Sequence, residues 1–209
     1  MDIFGATAES LYRTDVPVDL TEAIGRLVIE TYGTSADIAE DRWGEGEMHD
    51  TLAAFRRAEI ETGLLSLRGR FPGVAAVESV LNKTRNAYHR EVYSGRVAIT
   101  QSKVESDKGP IRQADFRSTL AQRSQLSLDL LPEEPGVATP VDDRLWASFV
   151  HMPSARPDVP AFVRVAFPLP DGSWEHSVSL YDLVPSLNGY AESEELITLR
   201  RELRRQRTG

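Results

Sequence analysis

The residues whose types suit proton transfer or metal-assisted hydrolysis are His89 and Glu91, two apart, and the run Gln101-Ser102-Lys103. Side chains two apart on a strand share a face, and an imidazole beside a carboxylate is an acid–base pair. The other histidines fall apart from these: His49 in the first turn of a helix, His151 at the end of a strand, His176 on an apolar strand face. For His176 the pattern predicts a hydrogen-bonded core histidine. The chain has no cysteine, which excludes disulfides, thiol nucleophiles and thiolate zinc sites. It also lacks a Gly-rich phosphate loop, a GxSxG elbow and an HExxH helix.

Two runs suit binding. Gln125-Leu126-Ser127-Leu128-Asp129-Leu130 resembles the Gln-Leu-x-Leu-x-Leu peptide by which many bacterial replication and repair proteins bind the sliding clamp. The resemblance is confined to this peptide; it implies that Gln125 hydrogen-bonds at a pocket rim while Leu126, Leu128 and Leu130 supply the apolar anchors. The alternative is a short buried strand, with the three leucines on one face and Ser127 and Asp129 on the other. The second run is the basic tail carrying Arg200, Arg201, Arg204, Arg205 and Arg207. Acidic residues Glu192, Glu194 and Glu195 precede it, the distribution a helix dipole favours, so a solvated helix end stands beside a docking or nucleic-acid role.

A strand ending in Gln101-Ser102-Lys103, between a hairpin partner bearing Glu91 and a following helix, resembles the core of the PD-(D/E)xK nuclease superfamily. That resemblance implies Mg²⁺-dependent cleavage, with Glu91 as a metal ligand and Lys103 orienting the attacking water; Gln101 departs from its acidic position, and one carboxylate with one amide is a poor donor set for Mg²⁺. The chain is therefore expected to be a non-enzymatic interaction or regulatory protein, linked to DNA replication, repair or defence through the Gln125 to Leu130 peptide. A degenerate metal-dependent nuclease and an antitoxin-like or regulator-like protein partner are the alternatives. No cofactor is expected, with Mg²⁺ entering only under the nuclease reading. The expected partners are a protein, the sliding clamp among them, and nucleic acid through the C-terminal helix.

The positioning elements follow from pattern. At 209 residues, 41% hydrophobic and 27% charged, the chain has the make-up of a globular protein with one core. A net charge of −8 argues against broad binding to nucleic acid or acidic membranes. No apolar run approaches the ~20 residues needed to span a bilayer, and a cytoplasmic location is expected.

From Leu145 to Val184 the alternation predicts three antiparallel strands. With a loop at Leu169 to Gly172, Phe167 pairs with Trp174, Val165 with His176, Val163 with Val178 and Ala161 with Leu180. Asn86 to Val104 reads as a hairpin turning at Ser94-Gly95, with Val92 opposite Val97, Glu91 opposite Ala98, and His89, Glu91, Arg96 and Thr100 on one face. Val74 to Leu81 fits either a strand or a short helix.

Residues 1 to 18 show no assigned period. An Asp19/Glu22 capping box opens a helix that Gly33 closes, and residues 34 to 46 read as a connection. Helices are expected over Glu47 to about Arg68, about Arg112 to Arg123, and from about Glu192. The fold expected is α+β: an antiparallel sheet of about five strands with N-terminal helices on one face, forming one domain over 1–209, with an irregular start (1–18) and an arginine-rich helical appendage (192–209).

Overall fold

A computed structural model describes residues 3–42, 45–71, 76–81, 88–112, 117, 120–122, 124 and 144–188. Three helices, α1 (Ile3–Asp15), α2 (Val18–Arg42) and α3 (Glu45–Ser66), precede six strands. These are β1 (Ala76–Leu81), β2 (Tyr88–Ser94), β3 (Val97–Lys103), β4 (Leu145–Pro153), β5 (Pro160–Ala166) and β6 (Ser177–Ser179), followed by a short helix α4 (Leu180–Leu183). The class is α+β, and the strands lie in one sheet in chain order, β1 to β6. Every neighbouring pair is antiparallel except β3 and β4, which are parallel and joined by a crossover. No described helix is long and apolar enough to cross a membrane.

The N-terminal segment corrects the expectation of irregular packing. Ala8, Leu11 and Tyr12 follow helical spacing and are buried, and the Tyr12 hydroxyl lies 3.0 Å from Thr21 Oγ1 of α2. Pro17 sits at the break between α1 and α2, where a missing N–H costs least. The capping box does not form: α2 begins at Val18, and Glu22 pairs with Arg26 at 2.7 Å. Nor does Gly33 end the helix. Tyr32, Ser35 and Ala39 continue the buried stripe, and packing outweighs the ~1 kcal/mol that a mid-helix glycine costs.

One face of the sheet carries the main core. Val92, Val97, Ile99, Leu145, Ala147, Phe149, Val163, Val165, Phe167 and Val178 meet Leu20, Ile24, Val28, Tyr32, Ile60 and Leu64 from the helices. A smaller cluster on the other face joins Ala98, Trp146, Val150, Ala166 and Trp174 to Val104, Ile111, Leu120 and Ala121 of the crossover. Ile111 N–H donates to the Gly172 carbonyl at 2.8 Å, and Trp174 Nε1 to the Gly109 carbonyl at 2.9 Å, tying the crossover to the β5–β6 turn.

Both hairpins form, and both shift register by two residues; the β2–β3 turn accordingly falls at Gly95-Arg96, one residue beyond the expected Ser94-Gly95. Val92 pairs with Ile99 rather than Val97, and Val165 with Val178 rather than His176. A shift of two preserves the face of each side chain. Trp174 is the exception: Leu169 N–H bonds the Ser173 carbonyl while Phe167 N–H bonds that of His176, a one-residue irregularity that sends Trp174 to the second cluster. Leu180 opens α4 instead of extending a strand. His176 is half-buried, stacked on Phe167 with Nε2 3.0 Å from Glu9 Oε2.

Candidate functional site

β2 and β3 form a zipped pair only near their turn, with Val92↔Ile99, Tyr93↔Ala98 and Ser94↔Val97. On their outer sides the ladders continue, β2 with β1 to Tyr88 and β3 with β4 to Lys103. Continuing the inner register would set Arg90 opposite Gln101. At that rung two side chains stand in for the missing bonds. Arg90 N–H donates to Glu61 Oε2 at 2.5 Å, and the Gln101 carbonyl accepts from Arg117 Nη2 at 3.3 Å. A carboxylate from α3 and a guanidinium from the crossover thus satisfy backbone groups that would otherwise be stranded at a fork.

From Glu61 a buried polar chain crosses the helix-covered face. Gln101 Nε2 donates to Glu61 Oε1 at 2.7 Å, which orients the amide and turns Gln101 Oε1 toward His151 Nε2, 3.1 Å away. His151 Nδ1 lies 2.8 Å from the Tyr32 hydroxyl. Because Gln101 Oε1 can only accept, the proton of a neutral His151 is assigned to Nε2, and Tyr32 donates to Nδ1. Burial, then the charges of Arg56 and Lys103, push the His151 imidazole down to about 3, so it stays neutral. Burial likewise raises the Tyr32 hydroxyl and the Glu61 carboxyl, the latter despite its bonds from Gln101 and Arg90. Arg56 lies 4.3 Å over the Tyr32 ring, donates to Ser35 Oγ at 2.9 Å and also bonds the Pro157 carbonyl. Its guanidinium caps this end of the chain.

The opposite face holds a separate polar group. His89 Nε2 lies 2.9 Å from Glu91 Oε1, and the Tyr93 hydroxyl donates to Glu91 Oε2. Burial, followed by Glu91, raises the Tyr93 hydroxyl, and Arg144 lies 4.3 Å over its ring. Alongside runs a chain of hydroxyls: Trp146 Nε1 donates to Thr100 Oγ1 at 2.9 Å, Thr100 to Ser148 at 3.3 Å, and Ser148 to Ser102 at 3.2 Å. His89, Glu91 and the hydroxyl chain are buried on the crossover side of the sheet, and Tyr93 is half-buried at its margin.

The structure therefore brings His89 and Glu91 together, with Thr100 on their face, and leaves Arg96 at the turn beside Asp15. It does not unite Glu91 with Gln101 and Lys103, whose side chains take the other face in the observed register. Lys103 Nζ pairs with Glu105 at 3.0 Å. Among the described residues no three His, Asp or Glu side chains are grouped to hold a metal ion. The peptide Gln125 to Leu130 and the tail arginines 200, 201, 204, 205 and 207 lie outside the described residues, as does most of the helix expected over 112–123.

Glu61, Tyr32 and Arg117 were not legible as site residues. Glu61 follows Arg57 by four, the spacing of a solvated helix pair, and nothing local says that it is 8% exposed. No protein-family model, no curated protein and no solved structure matches this chain.

Proposed function

We propose that this is a non-enzymatic interaction protein that engages a sliding clamp through Gln125 to Leu130. The observation that supports this reading lies just before the peptide: Trp146 N–H donates to Ser124 Oγ at 3.2 Å, which ties the residue preceding Gln125 to the start of β4. The six described strands draw on other stretches of the chain, so a partner that engages the peptide need unpair none of them.

The test is Gln125→Ala with Leu128→Ala in the full chain, measured for binding to the purified clamp and for melting temperature. The expected result is loss of clamp binding with melting within about 1 °C of the parent. A fall of about 5 °C or more would mean that Leu128 is core, since burial of a leucine contributes roughly 2 kcal/mol or more.

A metal-dependent nuclease is the second reading, favoured by one contact: Glu61 supplies a carboxylate 2.7 Å from the Gln101 amide, two residues before Lys103. It predicts Mg²⁺- or Mn²⁺-dependent DNA cleavage that disappears in Lys103→Ala. Absence of cleavage with both metals overturns it.

A further inference from the structure

The two edges of the sheet are built differently. β6 is three residues long and runs straight into α4, whose first turn Ser179 caps by accepting from Tyr181 N–H. A strand so short, closed by a helix, offers little to pair with. β1 has six residues, Ala76–Leu81, with no proline, no lysine and one charge, Glu78. Which of its backbone groups point outward follows from the rung at Arg90. Arg90 N–H points away from β1, to Glu61 Oε2, so Ser79, its partner in the β1–β2 ladder, turns its own N–H and C=O away from β2. Val77 and Leu81, two residues to either side, do the same. Among the described residues nothing bonds these outward groups. Ser79 lies on the helix-covered face with Val77 yet is exposed, so the helices do not overhang the edge.

A second copy of this edge fits it. About a two-fold axis perpendicular to the sheet the two strands run antiparallel, and outward groups must meet outward groups. Two registers do so over five rungs of the six-residue strand. One sets Glu78 against Glu78 of the second copy, a like-charge rung that opposes pairing. The other centres on Ser79: Ser79 meets Ser79, Val77 meets Leu81 and Glu78 meets Val80 of the second copy, and no charges of one sign face each other. We propose that the chain forms a two-fold dimer in which β1 pairs antiparallel with β1 of a second copy, centred on Ser79, so that the two sheets become one. The pairing is independent of the clamp peptide and of any cleavage chemistry. So short an interface falls below the ~1,200 Å² of a stable complex, and two chains of net charge −8 repel. The dimer is therefore expected to dissociate at about 10–100 µM and to tighten as salt rises.

Sedimentation of the full-length protein over about 1–500 µM should show the mass rising from monomer toward dimer. Ser79→Pro removes an outward N–H and leaves the β1–β2 bonds intact, so it should stay monomeric and melt within about 2 °C of the parent. The absence of cysteine gives a second test that does not depend on how the strand tolerates proline. In Ser79→Cys the two introduced thiols sit on facing residues with Cα atoms about 5.5 Å apart, within disulfide reach, and mild oxidation should link the dimer. In Glu78→Cys they are offset by two residues along the strands, beyond the ~7 Å limit, and should stay reduced; in the competing register they would face each other. A parent that is monomeric throughout, a folded Ser79→Pro that still dimerises, or cross-linking of Glu78→Cys as fast as Ser79→Cys overturns the pairing.

Discussion

At its turn the β2–β3 pair is clasped by a carboxylate from α1, whereas at its far end it is opened by a carboxylate from α3. Asp15 accepts from Arg96 N–H and Nε at 2.8 Å each and from Nη2 at 3.0 Å, while its own carbonyl accepts from Ser94 Oγ at 2.7 Å. Glu61 also takes a backbone N–H of the pair, that of Arg90, but in a buried setting. The same chemistry has opposite electrostatic results. The Arg96 hydrogen bonds hold Asp15 below the usual carboxylate range, and burial holds Glu61 above it. Exposure of the cation to solvent at one end, and desolvation at the other, make the difference.

Removing Glu61 should have the largest effect on this contrast. Glu61→Ala leaves Arg90 N–H and Gln101 Nε2 without an acceptor and is expected to cost about 3 kcal/mol in denaturant unfolding at neutral pH. Because its folded pKa is raised, the carboxyl contributes stability below its unfolded value of 4.5 that is lost as pH rises through the folded value. Glu61→Gln should therefore lose less at neutral pH than near pH 4. An equal loss at both would show that Glu61 is not desolvated.

His151, linked to Glu61 through Gln101, sharpens the point with the opposite sign. Its folded pKa of about 3 lies below the unfolded 6.5, so its stability is present above 6.5 and falls away between the two values. Between neutral pH and about pH 4.5 that amounts to about 2.5 kcal/mol at most. His151→Met should flatten that part of the pH profile, and an unchanged slope would place the titrating group elsewhere.

The smallest effects belong to the turn. Gly95 has φ of 53°, and a Cβ there would come 2.7 Å from Asp15 Oδ2, so Gly95→Ala should cost about 1–2 kcal/mol. Asp15→Asn should cost about 1 kcal/mol at neutral pH, since Arg96 is half exposed. Its folded pKa is lowered, so that contribution is present above 3.8 and disappears as pH falls through the folded value. A penalty that persists in acid would mean that the backbone contacts alone hold the turn.

Much of the scaffold was legible. Alternation in Val163, Val165 and Phe167 and in His89, Glu91 and Thr100 assigned faces that survived a two-residue slip of register. The helix over Ala8, Leu11 and Tyr12 carried its period too, though too few apolar residues marked it. The fork was not legible, because Glu61 and Arg117 are distant in sequence from the rung they occupy, and a charged residue on a helix ordinarily faces water.

The sequence by itself determined where the chain turns and which side of each segment is apolar, because periods of 2 and 3.6 are set by local backbone geometry. The parallel β3–β4 junction, the extra residue that flips Trp174, and the burial of Glu61 and His151 in one hydrogen-bonded chain were decided only by tertiary structure. Strand partners and the solvation of a charge depend on residues that meet across long sequence separations, and a local pattern carries no record of them.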